Sequence, residues 1–265
     1  MADVIGLRAR FAGLHAAGTF LMPNAWDVGS ARLFQSLGFD AVATTSSGLA
    51  ATLGRRDQSV GLDELARHVA ALSSALEIPL SVDAEDGYAE DVGGLESTVE
   101  VLADSGASGI SIEDYRPASG VLDVATATTR VAAYVETASR HGLIVTARAE
   151  NHLYGIDDLD DTIERLRAYA NAGADVVYAP GLKSSADLAS VVAAVPVPVN
   201  ALLIPGGPTV AEMREIGVRR LSTGGSLAWV ALGAAHRAAR ELLESGTQDY
   251  SAGMLSADDR SRAFQ

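Results

Sequence analysis

Short apolar runs alternate with amphipathic stretches along almost the whole chain, and glycines sit at many of the junctions. Leu65, Val69, Leu72 and Leu76 fall on one face at helical spacing, which predicts a helix over Asp63–Leu76. Ile78-Pro79-Leu80-Ser81-Val82 is short and apolar enough for a buried strand that runs on to Glu85. The same grammar gives a first helix over Val4–Ala16, closed by Gly18, and a strand over Phe20–Asn24. Asp27 caps a helix that reaches Leu37, and Gly38 stops it. Asp40–Thr45 reads as a strand and Ser46-Ser47-Gly48-Leu49 as the loop after it.

Further along, helices are predicted over Gly93–Ala103, Thr126–His141, Leu159–Ala172, Ala186–Ala193, Val210–Ile216 and Ser226–Glu244. The strands between them are Gly109–Glu113, Leu143–Arg148, Asp175–Tyr178, Val197–Leu202 and Arg219–Thr223. Strand and helix alternate about eight times, the size of an α/β protein of the (β/α)8 TIM-barrel type. A doubly wound open sheet would want a glycine-rich turn after its first strand. Pro23-Asn24-Ala25-Trp26 stands there instead. No linker or low-complexity stretch interrupts the pattern, so residues 1–265 are expected to form a single barrel domain. Its polar tail, Ser245–Gln265, either crosses to a neighbouring subunit or frays.

Composition narrows the function. A formal net charge of −14 argues against nucleic acid and against anionic membranes as partners. There is no cysteine, which removes disulfides, thiolate metal sites and cysteine nucleophiles together. The first residues carry no long apolar core, and no run of about 20 apolar residues exists, so a cytoplasmic protein is expected.

A barrel gathers its chemistry at the C-terminal ends of its strands. Those ends here carry Asp83-Ala84-Glu85-Asp86, Glu113-Asp114-Tyr115, Arg148-Ala149-Glu150-Asn151-His152 and Asn200. Strand alternation puts Asp83 and Glu85 on one face and Asp86 on the other. Carboxylates crowded in this way either hold a cation between them, for which oxygen ligands suit Mg2+, or are solvated turn residues. Asp83, Glu85 and Glu113 are the metal candidates. Arg148 offers a planar fork for a substrate carboxylate or phosphonate; its other reading is a structural salt bridge with Glu150 or Glu113. Ser47 and the backbone of Gly48 and Leu49 are candidate donors to a second oxygen. Asp57, in Gly54-Arg55-Arg56-Asp57, is either a mouth residue or a surface acid paired with Arg55 or Arg56. His152 could reach the mouth, whereas His15, His68, His141 and His236 fit surface or satisfied helix positions. Lys183, beyond the sixth strand, reads as exposed and not as a Schiff-base lysine.

Six segments in order now match one family. They are Pro23-Asn24-Ala25-Trp26-Asp27, Thr45-Ser46-Ser47-Gly48-Leu49, Gly54-Arg55-Arg56-Asp57, Asp83-Ala84-Glu85-Asp86-Gly87-Tyr88, Gly109-Ile110-Ser111-Ile112-Glu113-Asp114 and Thr146-Ala147-Arg148-Ala149-Glu150-Asn151. Through them the chain resembles the isocitrate lyase/phosphoenolpyruvate mutase superfamily over nearly its whole length. The resemblance implies a (β/α)8 barrel, Mg2+ (or Mn2+), and bond cleavage beside a 2-oxo or 2-hydroxy carboxylate through an enolate. It also implies a homo-oligomer, a dimer of dimers with the C-terminal helix exchanged between subunits. By position Asp83, Glu85 and Glu113 look like the metal acids and Arg148 like the carboxylate clamp. Ser47, Gly48, Leu49 and Asn200 look like substrate contacts, and Asp57 like an acid near the reacting group.

Departures from the family pattern shape the expectation. The cysteine-bearing loop of its lyases is replaced by Tyr115-Arg116-Pro117-Ala118-Ser119-Gly120, and the lysine-bearing gate of the mutase is absent. Ala201-Leu202-Leu203 follows Asn200 where the lyases place a polar clamp. The expected activity is therefore a Mg2+-dependent lyase that breaks a C–C bond of a small 2-oxo or 2-hydroxy acid. The alternatives are a P–C bond mutase or hydrolase, and a metal-binding barrel without catalysis.

Overall fold

A computed structural model describes residues 3–90 and 94–264. Its strands are β1 (Phe20–Met22), β2 (Asn24–Ala25), β3 (Val42–Thr44), β4 (Leu80–Val82), β5 (Gly109–Glu113), β6 (Tyr115–Arg116), β7 (Gly120–Val121), β8 (Ile144–Arg148), β9 (Val176–Tyr178), β10 (Val199–Leu202) and β11 (Arg220–Ser222). Its helices are α1 (Val4–Ala16), α2 (Val28–Ser36), α3 (Ser46–Thr52), α4 (Leu62–Ala75), α5 (Leu95–Asp104), α6 (Val124–His141), α7 (Leu159–Asn171), α8 (Ser185–Ala194), α9 (Val210–Ile216), α10 (Ser226–Glu244) and α11 (Ala257–Ala263). A 3-10 turn spans Asp249–Gly253.

Nine strands form one parallel sheet in the order β1-β11-β10-β9-β8-β5-β4-β3-β2. β1 and β2 are one stave interrupted at Pro23, which has no N–H to give a ladder. β1 pairs with β11 and β2 with β3, so this single stave closes the ring. The expected (β/α)8 barrel is therefore what the chain forms. Strands buried on both faces explain the unbroken apolar runs of the sequence.

α1 packs beneath the barrel. Phe11 stands edge-on to Phe20 and His15, and a small apolar cluster of Phe11, Phe20, Met22, Ala41 and Ala43 seals the N-terminal end. His15 is thus buried, not a surface histidine, and burial pulls its pKa down to about 3. Arg8 fastens the same helix by donating to the carbonyls of Ala103, Ala107 and His141.

Several boundaries differ from the sequence reading. β4 ends at Val82, and Glu85 adopts φ 45°, so the chain has left the strand before Glu85. Ser46–Thr52 forms a short helix, because Thr45 Oγ1 accepts from Gly48 N and caps it. The segment from Tyr115 to Val121 folds back as the β6–β7 hairpin. Gly93, the expected start of a helix, lies outside the described residues; α5 begins at Leu95. The polar tail packs back on the barrel within residues 245–264: α11 lies against α2, and Ala263 is buried. In α10, by contrast, Ala228 is the one buried residue, while Trp229 (56% exposed), Val230 and Leu232 face outward. No helix among the described residues is long and apolar enough to cross a membrane.

Gly109 marks how tightly α1 seats. A methyl there would meet Phe11 Cε1 at 2.5 Å and the Ile144 carbonyl at 3.0 Å. Gly109→Ala is expected to cost about 1–3 kcal/mol, the usual penalty of overpacking. The measurement is the urea midpoint, and an unchanged midpoint would mean that α1 does not close the barrel in this way.

Candidate active site

One row of strand partners runs round the C-terminal half of the barrel. Glu113 pairs in register with Arg148, Arg148 with Tyr178, Tyr178 with Asn200, and Asn200 with Arg220. Their side chains converge above the apolar floor. All but Glu113, which lines a neighbouring cavity, meet a cavity of about 200 Å³ whose wall includes Asn24, Ser47, Asp57, Asp83, Arg148 and Arg220.

Arg148 is the hub. Its Nη1 donates to Asp83 Oδ1 at 2.8 Å and lies 2.9 Å from Glu113 Oε1, while Nε donates to Glu150 Oε1 at 2.7 Å. Its guanidinium carbon lies 5.3 Å from the centre of the Tyr178 ring. Both readings of Arg148 thus hold at once: it lines the cavity, and it is tied to Glu113 and Glu150. Burial pushes the Glu113 carboxyl well above its ordinary range, and Glu150, Asp83 and Glu85 add to the rise against the pull of Arg148. Burial raises Glu150 as well. Arg148 itself, although burial opposes its charge, is driven up by Glu113, Glu150 and Asp83. Three carboxyl groups around one guanidinium leave an excess of acid.

Asp83 reaches further. Its Oδ2 accepts from Ser46 N at 3.1 Å, at the start of α3, and its own N–H donates to Thr44 Oγ1. Glu85 does not share its face, as strand alternation would require. The turn after β4 sends Glu85 into a neighbouring cavity of about 310 Å³, with Glu113, Tyr88 and Tyr115 in the same wall. Glu85 Oε1 is buried without a hydrogen-bond partner among the described residues, and burial, with the charges of Asp83 and Asp57, raises its pKa to about 8. A side-chain hydrogen bond with Tyr88 works against the rise. Asp86 is engaged by Arg116, which also pairs with Glu90.

The remaining candidates divide. Asp57 lines the main cavity and accepts from Gln58 N at 3.0 Å; Arg55 pairs with Glu64 instead of with it. Ser47 lines the cavity, with its Oγ 3.2 Å from Thr45 Oγ1. Gly48 and Leu49 lie outside the wall, and their N–H groups are spent on Thr45 Oγ1 and Thr45 O within α3. Gly48 has a packing role, since a methyl there would meet Thr45 at 2.5 Å and Trp26 at 2.9 Å. Asn200 is buried and donates to Ser222 Oγ at 3.0 Å. His152 is turned away, 3.0 Å from Asp157 in a separate cavity that also contains Lys183. Tyr115 stacks on Tyr154 with ring centres 3.5 Å apart, and Tyr154 accepts from Gln58 Nε2, so three loops meet over the acids.

Sequence reasoning passed over Arg220 and Tyr178. Alternation along Arg219–Thr223 puts Arg220 and Ser222 on the face opposite Leu221, a signal that a charge points into the barrel. Asn24 was read only as part of a motif; it fastens β2 to β3 through Thr44 O and accepts from the N–H groups of Thr223 and Gly224.

Whether these residues suit a divalent ion can be judged from their chemistry. Asp83, Glu85 and Glu113 supply hard oxygens, Glu85 keeps an unpartnered one, and the cluster has acid in excess, all of which fits Mg2+. Among the described residues no three acids stand ready-made around one point, because Arg148 Nη1 already bridges Asp83 and Glu113.

Glu85 has a signature in stability. A carboxyl whose folded pKa is raised holds its proton in the folded state, so that stability is lost as pH climbs from about 4.5 to about 8. Glu85→Gln removes this loss. The variant is expected to gain on the wild type steadily across that window in urea midpoints. A constant difference would mean that Glu85 ionises normally.

Residues 11–243 match the family model described as phosphoenolpyruvate phosphomutase. A crystal structure of a Burkholderia cenocepacia J2315 protein described as a lyase/mutase superimposes with a TM-score of 0.93 at 40% identity, over 98% of this chain and 96% of that one. The "Probable 2-methylisocitrate lyase 2" of Corynebacterium glutamicum is 28% identical over 254 residues, 91% of this chain and 82% of its own. The oxaloacetate decarboxylase of Rhodopseudomonas palustris is 31% identical over 212 residues, 77% of this chain and 70% of its own. With the family model spanning most of the barrel, the chain belongs to the phosphoenolpyruvate phosphomutase family, within the isocitrate lyase/phosphoenolpyruvate mutase superfamily.

Proposed function

We propose that this protein is a Mg2+-dependent lyase that breaks a C–C bond of a small 2-oxo or 2-hydroxy carboxylic acid, by retro-aldol cleavage or decarboxylation, through an enolate. The observation that carries the reading is the crowd of buried carboxyls around Arg148 at the mouth of a cavity sized for a small acid. The names of the similar lyase and decarboxylase support C–C chemistry.

Asp83, Glu85 and Glu113 would hold Mg2+ (or Mn2+), which supplies a Lewis acid for the charge that develops on the substrate oxygen. Arg148 would orient the carboxylate beside it. The fork is rigid, and its hold on Asp83, Glu113 and Glu150 fixes its direction. Ser47 offers a hydroxyl at the same wall. The stacked Tyr115 and Tyr154 would help to exclude water from the acids. With no cysteine in the chain, the proton that quenches the enolate comes from an oxygen acid or from water. Asp57 is better placed than Tyr115, because it lines the main cavity while Tyr115 is stacked beside the neighbouring one.

The phosphomutase description of the family model favours a second reading, P–C bond chemistry on a phosphonate of the phosphonopyruvate type. Incubation with phosphonopyruvate followed by ³¹P NMR separates the two: a new phosphorus resonance without turnover of 2-oxo or 2-hydroxy acids would replace the first reading by the second.

The outward face of α10, with Trp229, Val230 and Leu232, fits a second copy of the chain in a dimer or dimer of dimers. Trp229→Glu is expected to shift the mass measured by light scattering toward the monomer. An unchanged mass would remove this face from the assembly.

Calorimetric titration with Mg2+ and oxalate, a mimic of the pyruvate enolate, tests the main reading. Binding that needs both components is expected, and Asp83→Ala is expected to abolish it with the melting transition retained. Oxalate binding that ignores Mg2+, or survives Asp83→Ala, would reject the metal site.

A further inference from the structure

Arg220 is a buried guanidinium that no carboxylate answers among the described residues. It stands on β11 in the wall of the main cavity and is 3% exposed. Nε donates to Asn200 Oδ1 at 3.0 Å, and Nη2 donates to Thr146 Oγ1 at 2.9 Å. Nη1 is buried and meets no acceptor among the described residues. Every partner it has is neutral. Burial pulls its pKa down to about 10, and the charge of Arg148 adds to the fall. It nevertheless stays protonated at neutral pH.

Two other arginines of the barrel interior are compensated. Arg148 has Asp83, Glu113 and Glu150, and Arg165 has Asp114 and Asp161. Buried charges are costly unless they are paired or serve a ligand. Arg220 is therefore an oriented cation without an anion, in the wall of the same cavity that Arg148 lines. Its depth is set by Thr146, which lies two residues before Arg148 on β8, on the same face. Two residues are roughly 6–7 Å of strand, so the guanidinium of Arg220 lies about one side-chain layer below that of Arg148.

We propose that Arg220 binds a second anionic group of the substrate at the floor of the cavity, so that the substrate is a compact dianion spanning Arg148 and Arg220. The assignment rests on the proposed reading of the site, with the reacting 2-oxo or 2-hydroxy acid end at Asp83 and Arg148. A carboxylate and a phosphonate share the chemistry required at Arg220. Asn200 then acts as a positioning residue: its Oδ1 holds Nε, and Ser222 Oγ accepts from its Nδ2. The same arrangement accounts for Ala201-Leu202-Leu203 after Asn200. The polar clamp absent from β10 is supplied by the next stave.

The test compares succinate with butyrate by calorimetry, and 3-phosphonopropionate beside them, on the wild type, Arg220→Met and Arg220→Lys. The wild type is expected to bind the dianions roughly tenfold or more tighter than butyrate, the worth of one charge-assisted contact. Arg220→Met is expected to bring the three ligands within about threefold of one another, and Arg220→Lys to restore part of the gap, since it keeps charge without the fork. Which dianion binds tighter tells carboxylate from phosphonate. Equal binding of succinate and butyrate by the wild type would overturn the proposal, as would a dianion preference that survives in Arg220→Met. Should Arg220→Met fail to melt cooperatively, Arg220→Lys decides, because an unaltered preference and an unaltered affinity there would exclude a forked contact. Mg2+-dependent oxalate binding is followed in parallel. Its loss in the wild type, with an Arg220-dependent dianion preference intact, would reject the enolate reading and leave the Arg220 site standing.

Discussion

The contact of Arg148 with three carboxylates organises this barrel. Each partner comes from the end of a strand: Asp83 just past β4, Glu113 at the end of β5, and Glu150 just past β8, which carries Arg148 itself. Parallel strands in a closed ring all finish at one mouth, so the fold forces these acids together whether or not they attract. Without the guanidinium the crowd would repel itself in a desolvated space. With it the crowd is held but undercompensated, and burial leaves Glu113 and Glu150 with raised affinity for protons. A site in that state has a standing appetite for positive charge.

The layers beneath follow from that demand. The mouth can be polar because the floor is not: Phe11, Phe20 and Met22 seal the N-terminal end under α1. Between mouth and floor lies a polar belt in which Asn24 joins β2 to β3 and reaches across to the segment after β11, at the seam where the ring closes. Pro23 interrupts the first stave at that seam, and the Asn24 side chain supplies hydrogen bonds across it. Closure and chemistry thus share residues, and changes at the seam are felt in the cavity.

The alternation of apolar runs with helical faces was enough to read the barrel, and the strand ends Asp83, Glu113 and Arg148 were legible because charge at the end of a buried run needs a reason. Glu85 was misplaced for a local cause. Alternation holds only while the chain is extended, and a residue with φ 45° has already turned. The segment from Ser46 to Leu49 was read as a loop, but a capping threonine converts it into a short helix that engages the Gly48 and Leu49 amides. Arg220 was visible in principle, since it shares a face with Ser222 inside a strand that had been recognised. What the sequence did not carry was its company: only the fold reveals that Asn200 and Thr146, not a carboxylate, receive it.

The two guanidinia therefore occupy unlike electrostatic settings although both are buried. Arg148 is surrounded by acids and has little charge left over, so its contribution to a ligand is direction more than attraction. Arg220 has neutral partners and retains its attraction, while its direction is set by Asn200 and Thr146. A small cavity between an overcommitted and an uncommitted cation is polarised along its depth. Of the two ends of an anionic ligand, the one that must stay put gains most from Arg220, and the one that must change charge during reaction gains most from the acid-rich mouth, where protons and cations are already in demand.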